Sequence, residues 1–159
     1  MSEVPEGVDL SGFVRKPPRP TATMTLTRDG PNGPEVLLGL RSETMAAFPG
    51  YWAFTGGGVS RVDGAAVESF SVLDVEHGKF IACILRETCE ELGVAPNGDH
   101  LISIDENARF DVIKDKANWL PHAEDCNIPV NVDNINILGH RITPPFGPVQ
   151  FDNAFIHFH

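Results

Sequence analysis

Three glutamates on one predicted helix are the residues of this sequence best suited to chemistry. Glu87, Glu90 and Glu91 stand at positions i, i+3 and i+4, so their carboxylates emerge from one face of the helix. Arg86 lies four residues before Glu90 and can brace it. Three like charges this close repel one another unless cations occupy the cluster, and such oxygen-rich clusters suit Mg²⁺ or Mn²⁺. The spacing therefore favours a metal site, with a solvated acidic helix face as the alternative.

A run of glycines lies upstream of this helix, in the segment Phe54-Thr55-Gly56-Gly57-Gly58. It follows a short predicted strand over 51–54. A glycine run allows unusual backbone dihedrals and lets the backbone approach a ligand closely. A plain tight turn is the alternative interpretation, so the glycine run indicates a ligand-binding site only in combination with the glutamates.

Together the two segments resemble the Nudix box, G-x5-E-x7-R-E-U-x-E-E-x-G-U, in which U is apolar. The second half matches over 86–94, except that Thr88 replaces the usual apolar residue. The first half is modified, because Gly57 is followed after five residues by Asp63 where the family has Glu. Twenty-two residues then separate Asp63 from Arg86 instead of seven. We therefore expect an insertion within the box, at about 64–78.

The segment 37–57 is similar to a further motif of coenzyme A-type Nudix pyrophosphatases, L-L-T-x-R-S-x3-R-x3-G-x3-F-P-G-G. Arg41, Gly50 and Gly57 keep its spacing. The departures are Gly39 for Thr, Ala46 for the second Arg and Thr55 for Pro. The later segments 142–145 and 151–152 are also similar to the peroxisomal-type branch of these enzymes, which tolerates an insertion in the box. The resemblance covers roughly residues 20–159.

The resemblance implies a Nudix-type α/β/α sandwich with a mixed sheet, in an α/β (α+β) fold class. It implies metal-dependent hydrolysis of the pyrophosphate bond in a nucleoside diphosphate linked to another group, such as coenzyme A or an acyl-coenzyme A. Glu87, Glu90, Glu91 and the Gly56 carbonyl would hold Mg²⁺ or Mn²⁺. Either Glu87 or Glu90 would act as general base, with Arg86 orienting the carboxylates. The substrate-binding residues would be Arg41, Gly57 and Gly58.

The elements that must position these residues can be predicted from periodicity. The segments 21–27 and 35–40 alternate as the strands of a hairpin, and 101–104, 134–140 and 151–158 are further predicted strands. Apolar residues recur at helical spacing over 79–92, and Gly93 stands where a helix-ending glycine belongs. The stretch 59–78 reads as the insertion with a short helix. The proline-rich stretch 1–20 is a predicted flexible arm, and 21–159 the Nudix domain.

The charge balance restricts the classes of partner. Twelve Lys and Arg against 22 Asp and Glu give a net charge of −10, which disfavours nonspecific binding of nucleic acid or anionic membranes. A phosphate-handling protein of this charge needs cations. Three cysteines without a CxxC pair, and no apolar run of signal-peptide or membrane-spanning length, indicate a cytoplasmic protein with reduced thiols.

Several residues carry open alternatives. Trp52 could stack on a base or pack in the core, Asp105 and Glu106 could supply a second base or form a solvated turn, and His157 and His159 could bind metal or simply face solvent. A noncatalytic nucleotide-binding module on the same fold is the second functional hypothesis. Because the sequence ends on a predicted strand, we also expect either a homodimer covering the open edge or a further C-terminal region.

Overall fold

The computed structural model describes residues 6–7, 9, 17–45, 48–67, 75–115, 119, 132, 134–144 and 149–159. Nine strands and three helices lie within this part of the chain. In chain order they are β1 (Arg19–Gly30), β2 (Gly33–Val36), β3 (Gly39–Leu40), β4 (Trp52–Ala53), β5 (Thr55–Gly58), α1 (Arg61–Ala66), α2 (Val75–Leu92), β6 (Val94–Asn97), β7 (His100–Ser103), α3 (Glu106–Lys114), β8 (Asn136–Ile142) and β9 (Phe151–Phe158).

Strand β1 organises a five-stranded mixed sheet. Its alternating sequence buries Ala22, Met24 and Leu26 on one face and turns the threonines between them to the other. Strands β2 and β5 pair with successive parts of β1 in antiparallel fashion, whereas β9 pairs with it in parallel and β8 follows β9 antiparallel. The predicted hairpin is confirmed, with Pro31 and Asn32 as its two-residue loop.

Helix α2 covers the buried face of this sheet. Phe80, Ile81, Ile84 and Leu85 join the inward side chains of β1 and β9 in one core cluster, to which α1 and α3 also contribute. The helix begins at Val75, four residues before the predicted start, and ends as predicted before Gly93, whose φ is 66°. A positive φ is the conformation that favours glycine just beyond a helix.

The glycine run is a strand, and its interpretation as a turn was wrong. Residues 55–58 form β5, in which Gly56, Gly57 and Gly58 pair with Thr23, Ala22 and Thr21. None of the three glycines adopts a positive φ. The strand predicted over 35–40 divides into β2 and β3, and the one predicted over 51–54 reduces to β4, which pairs with β3.

Two elements were not predicted, β6 and α3. Strand β6 contains Pro96, which argues against a strand, yet it pairs with β7 in a small separate hairpin across Gly98 and Asp99. Helix α3 buries only Ala108 and Val112, a narrow apolar stripe within a polar sequence. Asp105 is its N-cap and accepts hydrogen bonds from the backbone N–H groups of Asn107 and Ala108.

The predicted fold class, mixed α and β with a mixed sheet, is confirmed. Helix α1 lies inside the predicted insertion region, and residues 68–74 of that region lie outside the described part, as does most of the predicted arm over 1–20. None of the helices in the described ranges is long and apolar enough to cross a membrane.

Candidate active site

The last two turns of α2 bring the box residues against strand β5. Arg86 is 2% exposed, whereas the carboxylates of Glu87, Glu90 and Glu91 extend from the buried guanidinium towards the surface. This follows from their i, i+3 and i+4 spacing, which places the three glutamates on one side of the helix. The structure thus gathers Arg86, the three glutamates and the glycine strand in one place.

Arg86 donates hydrogen bonds to three carboxylates of the cluster. Its Nε and Nη2 donate to Asp63 Oδ1 and Oδ2 at 2.8 and 3.0 Å, a bidentate pair. Its Nη1 donates to Glu87 Oε1 at 2.9 Å and to Glu90 Oε1 at 3.1 Å. One guanidinium therefore fixes three carboxylates, and because it is buried it orients them rather than meeting a substrate.

Asp63, which stands in the sequence where the box has its first glutamate, contacts the box arginine despite the insertion between them. Its side chain is fully buried, and Oδ2 also accepts from the Ser60 backbone N–H at 2.7 Å and the Ser60 hydroxyl at 2.9 Å, closing the capping box of α1. Burial alone would lower the pKa of Arg86, but the hydrogen bonds and charge of Asp63, helped by Glu87 and Glu90, raise it. Asp63 thus lies in helix α1 and is a buried partner of Arg86.

Two of the glycines of β5, Gly56 and Gly57, are closely approached by other groups, whereas Gly58 faces open space. A Cβ on Gly57 would collide with the Glu87 carboxylate, and one on Gly56 with the backbone of Ala22. The Gly56 N–H donates to Glu91 Oε2 at 3.3 Å. Close approach, and not an unusual dihedral, is thus the reason for glycine here, and the groups that approach are the strand's neighbours in the fold.

The donor set suits a hard divalent cation. Four carboxylates, those of Asp63, Glu87, Glu90 and Glu91, face the charge of Arg86 and the nearby Arg41. Burial raises the pKa of Glu91, opposed by its hydrogen bond from Gly56, and the charges of Glu87 and Glu90 raise it further. The four carboxylates therefore carry more negative charge than the two arginines can neutralise. Carboxylate oxygens are the ligands that Mg²⁺ prefers.

In the structure, however, the carboxylates of Asp63, Glu87 and Glu90 accept hydrogen bonds from Arg86. Within the described ranges, no three Asp, Glu, His or Cys side chains are arranged so that they could hold one metal ion together. The assignment of Glu87, Glu90, Glu91 and the Gly56 carbonyl as metal ligands therefore stays a prediction. Glu87 and Glu90 each contact Arg86 through Oε1, so Oε2 of each carboxylate remains a potential metal ligand.

A second arginine, Arg109, fixes the end of α2 and was not predicted. From α3, its Nε and Nη2 donate to the Glu90 carbonyl at 3.0 and 2.8 Å, and Nη2 also reaches the Glu91 carbonyl at 3.3 Å. These carbonyls have no partner within the helix, and a cation is favourable at a helix C-terminus. Arg109 thereby holds the turn that carries two of the three glutamates.

A cavity of about 640 Å³ opens beside the glycine strand, on the sheet face opposite to α2. Arg41, predicted as a substrate contact, lines it together with Gly56, Gly57 and Gly58. Arg41 also lies near Glu91, whose pKa its charge lowers. The remaining lining was not predicted and comprises Thr21, Ala22, Thr23, Phe48, Phe54, Arg141, Ile142, Thr143, Pro144, Phe151, Asn153 and Phe155.

The other candidates lie elsewhere or have structural roles. Trp52 is 65% exposed, so its interpretation as a core residue was wrong, and it does not line the cavity beside the glycine strand. Stacking of Trp52 on a base stays a prediction. Asp105 caps α3 rather than forming a plain turn. His157 and His159 both share a hydrogen bond with the Thr27 hydroxyl at 2.8 Å.

The predicted free thiols are confirmed for the two described cysteines. Cys83 and Cys89 are both buried and unbridged. Burial, followed by the charge of Asp63, raises the pKa of Cys83 well above its usual range and keeps the thiol neutral. The third cysteine, Cys126, lies outside the described residues.

Comparison with solved structures finds proteins of similar fold. A NUDIX hydrolase from Alicyclobacillus acidocaldarius shares 26% sequence identity at a TM-score of 0.75, over 91% of this chain and 71% of that one. A MutT/nudix family protein from Enterococcus faecalis is more distant, with 19% identity, a TM-score of 0.45 and coverage of 91% of this chain and 38% of that one. No protein-family model matches, and no curated protein matches either.

The first of these likenesses extends over nearly the whole chain and includes the elements that carry the box. The box residues, recognised from sequence alone, meet in the structure around Arg86. Taken with the shared fold, that convergence supports a relationship of this chain to the Nudix hydrolases.

Proposed function

We propose that this protein hydrolyses the pyrophosphate bond of a nucleoside diphosphate linked to another group, with Mg²⁺ or Mn²⁺ as cofactor. The observation that carries the proposal is the group of Glu87, Glu90 and Glu91 beside the glycine strand β5, with Glu87 and Glu90 held by Arg86 and Glu91 by the Gly56 N–H. Strand β5 also lines the cavity that contains Arg41. Coenzyme A, an acyl-coenzyme A and other nucleotide derivatives are the candidate substrates, on the strength of the motif over 37–57.

Each residue has a defined part in this reaction. Glu87, Glu90 and Glu91, with the Gly56 carbonyl, would hold the cation, which when bound supplies positive charge against the phosphate oxygens and acidifies water. Glu87 or Glu90 takes the proton of the attacking water as general base. Arg86 keeps the carboxylates oriented, and Arg41 contacts the phosphates from the cavity side. Gly57 and Gly58 leave room for the diphosphate along the strand.

The substitution Glu90→Gln tests the assignment, because it preserves shape and removes the charge and the basic oxygen. We expect hydrolysis of nucleotide anhydrides, followed as phosphate release with Mg²⁺ over a panel that includes coenzyme A and ADP-ribose, to fall by about 100-fold or more. Glu35→Gln is the matched control, since Glu35 forms a surface ion pair with Arg28 and lies outside the cavity lining. Wild-type protein inactive on every member of the panel would refute the proposal.

A further inference from the structure

A second, smaller cavity adjoins the cavity beside the glycine strand. It has a volume of about 270 Å³ and is lined by β3, β4 and the end of α2, including Glu91. Arg41 and Phe54 line this small cavity as well as the large one of about 640 Å³. The two cavities therefore meet at Arg41, the residue that contacts the phosphates in the proposed function.

The side chains that line the small cavity are mostly apolar. Gly39 and Ala53 pair across β3 and β4, and the nearest atom to a Cβ on Gly39, apart from its chain neighbours, would be the Ala53 carbonyl oxygen at 4.0 Å. These two small residues thus leave space between the strand pair and α2. Larger apolar side chains complete the lining, and three of the four are exposed to solvent: Leu40, Met45, Phe54 and the half-buried Leu92.

The polar side chains of the small cavity have other roles. Arg41 and Glu91 belong to the diphosphate and cation site of the proposed function. The Ser42 hydroxyl forms a hydrogen bond with the Thr44 hydroxyl at 2.9 Å and accepts another from the Thr44 N–H at 3.3 Å. Thr55 is buried. A sugar in this cavity would exchange water for apolar neighbours around its hydroxyl groups, which costs free energy, whereas an alkyl chain would gain from the same contacts.

The arrangement of the two cavities indicates which part of the substrate enters each. A diphosphate carries one group at each end, so a substrate held at Arg41 and at a cation on Glu91 extends in two directions. The large cavity contains the exposed ring of Phe48 and three further phenylalanines, and such rings stack with a planar base. The small cavity then remains for the group at the other end of the diphosphate.

We propose that the small cavity receives the group linked to the nucleoside diphosphate, and that it selects groups that begin with an apolar chain over sugars. The inference rests on the proposed function for the identity of the ligand as a nucleoside diphosphate derivative. Gly39 determines this specificity because its missing side chain leaves the space that the chain fills. Leu40 contributes exposed apolar surface that the chain covers.

The test measures binding of ligands that resist hydrolysis, so it does not depend on turnover. The probes are the methyl, propyl and hexyl β-esters of adenosine 5′-(α,β-methylene)diphosphate, which carry the same charge and differ only in chain length. They are titrated by calorimetry with Mg²⁺, beside the α,β-methylene analogue of ADP-ribose. We expect the affinity of wild-type protein to rise about threefold per methylene until the cavity is filled, the effect of burying most of each CH₂ group. The hexyl ester should bind about tenfold more tightly than the ADP-ribose analogue.

Substitutions in the lining test the location of the chain. Gly39→Leu fills the small cavity and should abolish the dependence on chain length, whereas Gly64→Leu, at an exposed glycine of α1 where a Cβ meets open space, should preserve it. Leu40→Asn replaces apolar surface by an amide of similar shape and should reduce the gain per methylene. Leu138→Asn is its matched control, because Leu138 is 63% exposed against 60% for Leu40 and lies outside both cavities.

Equal affinities for the three esters, tighter binding of the ADP-ribose analogue than of the hexyl ester, or no binding of any probe would overturn the inference. A chain-length dependence that persists in both Gly39→Leu and Leu40→Asn would also overturn it, and Leu40→Asn decides alone if Gly39→Leu does not fold. Wild-type protein that binds the esters as expected but hydrolyses no nucleotide anhydride would refute only the proposed reaction. Hydrolysis combined with equal affinities for the esters would refute only the role of the small cavity.

Discussion

Asp63 has two structural roles, since it caps α1 and pairs with the buried Arg86. Removing one partner of a buried ion pair leaves the other charge without compensation, which costs far more than the pair itself contributes. Asp63 and Arg86 are 0% and 3% exposed at their side chains. The stability of the domain therefore depends on a residue whose family counterpart is described as part of the catalytic box.

We predict that Asp63→Ala lowers the free energy of unfolding by about 3 kcal/mol, as urea denaturation would measure. The matched control is Glu35→Gln, which breaks the solvent-exposed pair between Arg28 and Glu35 and should cost less than about 1 kcal/mol. Similar losses in the two variants would show that the Asp63–Arg86 pair is not buried as described.

Glu91 offers the opposite case, a residue whose ionised form lowers the stability of the fold. Its pKa is raised in the folded protein, so between the ordinary carboxyl range and the raised pKa the folded chain binds more protons than the unfolded one. Stability then falls as the pH rises through that window, and the penalty is fully present above the raised pKa. Because Glu91 is exposed on one side, solvent keeps the penalty below about 1 kcal/mol.

Accordingly, Glu91→Gln should raise the melting temperature of metal-free protein in EDTA at neutral pH, and the gain should vanish at a pH below the ordinary carboxyl range. Adding Mg²⁺ should stabilise the wild type more than the variant, because a ligand that binds only the folded state shifts the equilibrium by its affinity. A variant less stable than wild type in EDTA, or one that gains as much from Mg²⁺, would contradict this account of Glu91.

At the scale of elements, the end of α2 depends on α3. Arg109 satisfies the carbonyls of Glu90 and Glu91, and Gly93 leaves space for its side chain, since a Cβ there would lie 3.4 Å from Arg109 Cδ. The box sequence has no basic residue in the last turn of α2. The charge at the helix C-terminus is therefore supplied by another element.

We predict that Arg109→Ala destabilises the domain by about 1.5 kcal/mol and lowers kcat more than it changes KM, because the turn bearing Glu90 and Glu91 loses its support. Lys114→Ala is the control, an exposed basic residue of the same helix with no contact to α2. Denaturation curves and steady-state kinetics of both variants give the comparison. An Arg109→Ala enzyme with wild-type kcat would show that α3 does not support the site.

The sequence could predict those features that depend on residues close together along the chain. Helix α2 and the brace from Arg86 to Glu90 depend on spacings of three and four residues, which a helix converts directly into contacts. The contact between Asp63 and Arg86 spans 23 residues and an insertion, so no periodicity reports it. Helix α3 escaped prediction because its buried stripe is only Ala108 and Val112, although Asp105 as a capping residue was an available signal.

At the scale of the whole molecule, the cavity is formed by several strands together and by no single element. The cavity is lined by residues of β1, β5, β8, β9 and the segment between β3 and β4, and Arg141 of β8 lies beside it through the register of β8 with β9. Register between strands that lie far apart in sequence follows from packing of the entire sheet, so the sequence could not reveal it. The register of β8 with β9 nevertheless places the positive charge of Arg141 at the cavity, in a protein whose net charge is −10.

A strongly anionic protein needs local cations to bind an anionic substrate, and Arg41 and Arg141 supply them at the cavity. We predict that Arg141→Gln raises KM for a nucleotide anhydride such as ADP-ribose about fivefold to tenfold, the loss of one charge-assisted contact, with little change in kcat. Arg61→Gln removes the same charge from an exposed position outside the cavity lining and should leave KM unaltered. If both variants raised KM equally, net charge rather than the position of Arg141 would govern binding. Raising the ionic strength should narrow the difference between wild type and Arg141→Gln, because salt screens the interaction of an exposed arginine with phosphate.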